Sequence, residues 1–203
     1  MHRPVKLVAL ALGIVAVTGT AVLLSTLRYG FSTHDEPTRV EAFAARGIRH
    51  WSVPADLRAA KNPIRLTPAV LSDAQAHWAD HCASCHGNDG KGKTAIGQHL
   101  YPRAPDMTLA ETQELSDGEL FSAIENGIRL TGMPGWGDGS ADSGYGSWAL
   151  VHLIRRLPHI TQQELDEMKL FNPVSPEELK EQEEEKRFLE GAGAPSKPHE
   201  GHH

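Results

Sequence analysis

The chain has 203 residues, a length typical of one domain with appended segments. Its net charge is −6, and much of the acidity lies in the run EELKEQEEE at 177–185. A negative chain of this kind argues against a nucleic-acid partner.

The first 30 residues predict a membrane anchor. An uncharged run from Leu7 to Leu27 would span about 30 Å as a helix, enough to cross a bilayer. The apolar region of a signal peptide is normally shorter, although the small residues at 16–21 leave a cleaved signal as the alternative. Arg3 and Lys6 precede the run, which places the N-terminus in the cytoplasm and the rest of the chain on the exported side.

Residues 31–66 are predicted to be a polar tether followed by an amphipathic pre-domain segment. Within it, apolar residues recur close to the helical period over residues 39–51: Val40, Phe43, Ala44, Ile48 and Trp51. This pattern predicts a short helix that packs on the following domain or lies on the membrane surface.

Residues 67–172 predict the main domain, and every pattern in them is helical. A helix with Pro68 in its first turn runs into the segment at 82–86. Ser116 and Glu119 form a capping box that starts a helix over 117–126. A glycine-rich loop at 137–147 leads to a third helix, which ends at Pro158.

The region after residue 160 predicts one more short helix and a tail. Thr161 and Glu164 repeat the capping pattern. Residues 173–203 are acidic and then rich in Gly, Ala and Pro, so a partly disordered tail is expected. Its final HEGHH could bind copper or nickel, although incidental histidines are the favoured interpretation. Strand alternation is not evident anywhere, and the sequence therefore predicts an all-α fold.

The most informative segment is Cys-Ala-Ser-Cys-His at 82–86, which contains both cysteines of the chain. C-x-x-C-H is the pattern of covalent haem attachment, with Cys82 and Cys85 forming thioethers and His86 able to bind the iron. A zinc site would require about four ligands, and there is no second cysteine pair. A thioredoxin-like pair would require a βαβ setting.

A second axial ligand is sought among the methionines. Met133 lies in the turn-rich segment TGMPGW, where Gly132 allows close approach of the backbone and Pro134 stiffens the loop. The alternatives are that Met133 only fills space in the core, with His99 or His152 as the ligand. Of the remaining methionines, Met107 is interpreted as a haem-packing residue and Met168 as lying beyond the core.

Residues 87–94 match the phosphate-loop pattern G-x-x-x-x-G-K-[ST]. That motif binds phosphate between a strand and a helix, and here a cysteine motif precedes it. A glycine-rich turn is therefore predicted, with no nucleotide bound.

With these motifs in place, the segment from Thr67 to Leu157 resembles the class I c-type cytochromes, and the flanking pieces resemble a membrane-anchored bacterial monohaem subgroup. The resemblance implies a cytochrome c fold around one covalent haem c. It also implies the site residues. Cys82 and Cys85 would be the attachment points, with His86 as proximal and Met133 as distal ligand. The carbonyl of Pro105 would accept a hydrogen bond from His86 Nδ1, and Met107 would cover the haem face.

The function expected from these features is single-electron transfer rather than enzymatic catalysis. The chain would be a single-pass protein of a bacterial cytoplasmic membrane, with its haem domain on the periplasmic side. Its partners would be a dehydrogenase or quinol-oxidising complex as donor and an oxidase or reductase as acceptor. The alternatives are a haem subunit of a larger oxidoreductase and, less favoured, a haem peroxidase or a redox or ligand sensor.

Overall fold

The computed structural model describes residues 2–29, 32–174 and 176–189. Throughout these ranges the regular structure is helical, and they contain no strand. The predicted all-α fold is therefore confirmed. The HEGHH segment, for which metal binding was considered, lies outside the described residues.

Ten α-helices are described, and they are numbered here in chain order: α1 (His2–Tyr29), α2 (Arg39–Ser52), α3 (Ala55–Ala59), α4 (Pro68–His77), α5 (Ala83–His86), α6 (Ala110–Gln113), α7 (Asp117–Asn126), α8 (Ala141–Arg156), α9 (Gln162–Lys169) and α10 (Pro176–Leu189). A π-helical turn at Trp78–Cys82 joins α4 to α5. Short 3-10 turns occur at Gly97–His99 and Leu157–His159.

Helix α1 has the length and composition needed to cross a membrane over Pro4–Ser25, and the described side chains of that stretch are exposed. A signal sequence near an N-terminus has the same properties. The membrane anchor consequently stays a prediction.

The helix predicted over 39–51 is present as α2, and a capping box between Thr38 and Glu41 starts it. However, its apolar residues do not pack on the following domain. Phe43 and Trp51 are 76% and 82% exposed. Packing of this face on the domain, one of the two expectations, is wrong, and the other is taken up below.

The core is built where α4 and α7 pack against α8. Three side chains at this contact are almost fully buried: Ala74 on α4, Trp78 in the π-helical turn and Leu153 on α8. Thr67 caps α4 by accepting a hydrogen bond from the N–H of Val70, with Pro68 in the first turn as predicted.

Helix α7 has the predicted bounds and cap. Ser116 and Glu119 form the capping box, and Gly127 ends the helix with a φ of +67°. Helix α8, in contrast, begins at residue 141, within the stretch predicted as loop. Ser140 caps it by accepting a hydrogen bond from the N–H of Ser143, and packing of the helix against α4 offsets the poor helix propensity of its two glycines.

The expectation that Met168 lies beyond the core is wrong. Its side chain is fully buried within the main apolar cluster. The 3-10 turn at Leu157–His159 redirects the chain so that α9 lies back on the core, which sequence periodicity alone did not reveal.

Residues 53–66 are in contact with the main domain. The backbone N–H of Asn62 donates to the Asp117 carboxylate, and the side-chain amide of Asn62 donates to the carbonyl of Trp148 (2.7 Å). The ring of His152 forms a hydrogen bond with the carbonyl of Ile64 (2.7 Å). The carbonyl of Leu57 also approaches Gly118 so closely that a side chain there would collide with it. The domain boundary at residue 67 stays a prediction, with hydrogen bonds crossing it.

The cap of α9 predicts a pH-dependent contribution to stability. Burial raises the pKa of Glu164, but hydrogen bonds from Arg156 and Thr161 outweigh burial and lower the pKa to about 2. Because this lies below the value of about 4.3 for an unfolded chain, the carboxylate stabilises the fold above that pH. The contribution is lost as the pH falls towards 2.

Glu164→Gln is therefore expected to cost about 1 kcal/mol of unfolding free energy at pH 7, allowing for solvent screening of this partly exposed group. The cost should shrink steadily between pH 5 and 2. Urea unfolding at several pH values measures it. Glu167→Gln on the same helix is the control, since the Glu167 carboxylate accepts a hydrogen bond from the exposed Gln163 side chain and should matter little at any pH. A cost for Glu164→Gln that does not change with pH would contradict this account.

Candidate functional site

The candidate site begins where the helical path through α4 reaches the two cysteines. Cys82 ends the π-helical turn, and Cys85 and His86 lie in α5. Both cysteines are half-buried and free, whereas His86 is only 8% exposed. One helical turn thus presents two thiols and a buried imidazole, as the sequence predicts.

The electrostatics of His86 suit a metal ligand. Burial lowers the pKa of its imidazole to about 4, so the ring is neutral near pH 7. Its Nδ1 is buried and makes no hydrogen bond. A buried polar atom without a partner is costly, and the bond to Pro105 that the resemblance implies would satisfy it. The burial and neutrality of the ring fit coordination of iron by its other nitrogen.

The hydrogen bond predicted from His86 Nδ1 to the carbonyl of Pro105 is not formed in this structure, because Nδ1 has no partner. Pro105 itself is exposed. The role assigned to Pro105 therefore stays a prediction.

The thiols do not resemble a zinc site. Burial, with a smaller contribution from Cys85, raises the pKa of the Cys82 thiol to about 12. Within the described ranges, no group of three or more histidines, cysteines or carboxylates is placed to hold a metal ion. Thioether formation with haem requires no such cluster.

The loop after His86 folds back over the attachment segment. The N–H of Gly92 donates to the carbonyl of His86 (2.8 Å), and the Thr94 hydroxyl donates to the carbonyl of Cys85 (3.0 Å). Gly92 has a φ of +67°, a conformation that favours glycine. This loop follows a helix and binds the carbonyl groups of the site, so it is the predicted turn.

Met107 lies beside the attachment segment. Its N–H donates to the carbonyl of Gly90 (2.8 Å), and its side chain packs against the main apolar cluster. The side-chain amide of Gln113 donates to the carbonyl of Met107 (2.6 Å) and fixes the backbone at this residue. These contacts agree with the role of a packing residue.

Met133 lies on a loop fastened to the end of α7. Its N–H donates to the Thr131 hydroxyl (3.1 Å), and its carbonyl accepts from the N–H of Ile128 (3.1 Å). Beyond it, the N–H of Trp136 donates to the carbonyl of Ile124 (3.0 Å). The Leu100 side chain lies against Gly132, where any side chain would collide with it. The methionine is thus half-buried on a loop held on both sides.

The two histidines considered as alternatives to Met133 are engaged elsewhere. The His152 ring bonds the carbonyl of Ile64. The His99 ring bonds the carbonyl of Ala95 (2.6 Å) and is exposed. Neither contact excludes ligation, but each would have to break or rearrange for its ring to move.

One contact that the sequence did not predict joins the two sides of the site. His81, which directly precedes Cys82, stacks on Trp136, three residues after Met133, with ring centroids 5.2 Å apart and planes at 27°. His77 adds an edge-on contact to His81 at 5.1 Å. Pairing between residues so far apart in the chain leaves no signal in local spacing.

Residues 69–154 match the family model described as cytochrome c oxidase, cbb3-type, subunit III. The matched range begins in α4 and ends in α8, so it includes the cysteine motif and the Met133 loop. No curated protein matches the chain.

Proposed function

We propose that this chain is a membrane-anchored monohaem electron carrier rather than an enzyme. Residues 69–154 belong to the class I c-type cytochromes, which carry covalently bound haem c and transfer electrons. The observation that carries the proposal is the buried, neutral His86 directly after the only two cysteines.

Each side chain of the site has a separate task in this proposal. Cys82 and Cys85 would tether the haem, and the imidazole of His86, kept neutral by burial, would be the proximal ligand. The thioether of Met133 would be the distal ligand, presented by a loop whose backbone is fixed on α7. The bound haem iron supplies one-electron redox chemistry. The chain supplies attachment, ligand choice and exclusion of water.

The proposed location follows from α1. A helix that can span a bilayer precedes the haem domain, and Arg3 and Lys6 at its N-terminal end favour a cytoplasmic N-terminus. The domain would then lie on the periplasmic side, where it could accept electrons from a dehydrogenase or quinol-oxidising complex and pass them to an oxidase or reductase.

A second candidate is a haem subunit fixed within a larger oxidoreductase. The matching family is described as a subunit of an oxidase, which favours this possibility. The match covers the haem domain alone. That domain would transfer electrons in the same way in a free carrier and in a fixed subunit.

Purification of the full chain from its native membranes in mild detergent, followed by redox titration, tests the proposal. A free carrier should be isolated without stoichiometric partners and titrate reversibly with the slope of a one-electron couple. Stoichiometric co-purification with the same proteins would favour the fixed subunit. Rapid turnover of peroxide by the isolated chain would contradict the assignment as a carrier.

The stacked rings of His81 and Trp136 are expected to hold the Met133 loop closed. An aromatic pair contributes about 1 kcal/mol, so Trp136→Ala should increase the open form of the loop about fivefold. Binding of added imidazole to the ferric protein measures this, since it competes with Met133. Trp136→Phe retains a ring and is the matched control. Equal imidazole affinity in the two variants would show that stacking does not hold the loop.

A further inference from the structure

The apolar face of α2 is the largest unexplained feature of the region between α1 and the haem domain. Four of its side chains lie on one side of the helix and are 68–82% exposed: Val40, Phe43, Ile48 and Trp51. Two aromatic and two aliphatic side chains together form a contiguous apolar surface of a kind that soluble proteins rarely leave in water.

Polar contacts fix the orientation of this helix. Glu41 accepts a hydrogen bond from the Tyr101 hydroxyl (3.3 Å), and the His50 ring lies 2.8 Å from the Glu119 carboxylate. The Arg58 guanidinium also donates to the carbonyl of His50 (2.7 Å). The side of α2 that faces the domain is therefore its polar side. Rotating the helix to bury the apolar face would break these contacts.

The segment before α2 is held against the same part of the domain. Arg103 forms an ion pair with Glu36 (2.7 Å) and donates to the carbonyl of His34. Helix α1 ends at Tyr29 and α2 begins at Arg39, so the connection can span at most roughly 35 Å. If α1 crosses the bilayer, α2 cannot lie far from the membrane surface.

The charges of α2 also suit a membrane surface. In a chain of net charge −6, this helix carries three arginines and one glutamate. Arg39 and Arg46 are exposed beside the apolar face. An amphipathic helix with aromatic residues on one side and arginines at its edges is the type that lies in the headgroup region of anionic membranes.

We propose that α2 lies in the headgroup region of the exported leaflet, with Phe43 and Trp51 inserted and the arginines at lipid phosphates. The inference rests on the proposed anchoring by α1. The haem domain would then be held in one orientation by two contacts with the bilayer, which limits the faces that redox partners can reach.

The experiment uses the full-length holoprotein in vesicles of phosphatidylcholine and phosphatidylglycerol. With both native cysteines bound to haem, an introduced cysteine is the only free thiol and can carry a spin label. The labelled variants are Phe43→Cys and Trp51→Cys on the apolar face, with Ala45→Cys on another side of α2 as the matched control. Ala16→Cys, inside α1, reports the anchor separately. Accessibility to oxygen and to a polar nickel complex gives the depth of each label.

The expected result is a several-fold higher ratio of oxygen to nickel accessibility at positions 43 and 51 than at position 45. Nickel-accessible labels at 43 and 51, with a lipid-buried label at 16, would overturn the proposal for α2 and leave the anchor intact. Labels at 43 and 51 shielded from both reagents would also overturn it, because protein would then cover the face. A label at 16 that is in water, or cleaved from the mature chain, would instead overturn the anchor itself.

Discussion

Replacing both Cys82 and Cys85 with alanine is expected to abolish covalent haem attachment completely. No other cysteine exists in the chain to form a thioether. His86 could still offer its imidazole, but a bond to the iron alone does not survive denaturation. Haem staining after denaturing electrophoresis measures the loss.

The single variants provide the matched controls for this double change. Cys82→Ala and Cys85→Ala each leave one thiol on the same helical turn, so each should keep some covalently bound haem. Ser84 lies between the two cysteines and is exposed, so the Ser84→Ala variant should retain the full amount of covalently bound haem. Haem that stays bound to the double variant through denaturation would contradict the assignment of these cysteines.

Met133→Ala is expected to leave the haem attached and to lower its reduction potential. Axial ligands shift haem potentials over a range of about 0.8 V, and loss of a thioether should lower this one by on the order of 0.1 V or more. The weak long-wavelength absorption band implied by ferric methionine ligation should disappear as well. Redox titration and the ferric spectrum measure both effects.

Met107→Leu is the matched control for the distal ligand. Met107 packs on the core, and a leucine of similar volume preserves that packing. Its potential should stay close to that of the wild type, with the methionine band intact. If Met133→Ala left the potential and spectrum unchanged, His99 or His152 would become the candidate ligand.

Local signals in the sequence predicted much of the fold. The capping boxes at Ser116 and Thr161 gave the start of α7 and α9 because a cap depends on residues only three positions apart. Pro68 and Gly127 marked helix ends for similarly local reasons. The C-x-x-C-H segment is also local, and its chemistry depends on a spacing that the sequence displays directly.

Features that depend on distant contacts could not be predicted in the same way. The start of α8 at Ala141 needs packing on α4 in addition to the cap at Ser140, and burial of Met168 needs the turn that returns α9 to the core. The stacking of His81 on Trp136 joins two segments whose approach is decided by the whole fold. Packing of the α2 face on the domain was one of two expectations and was wrong, because periodicity identifies an apolar face but does not identify what covers it.

The attachment of haem to this chain is tested most directly by mass spectrometry of the purified holoprotein in denaturing solvent. The intact mass should exceed that of the chain by one haem, and peptide mapping should locate the added mass on residues 82–86. A chain of unmodified mass, or haem carried by a peptide without Cys82 and Cys85, would contradict the proposed site.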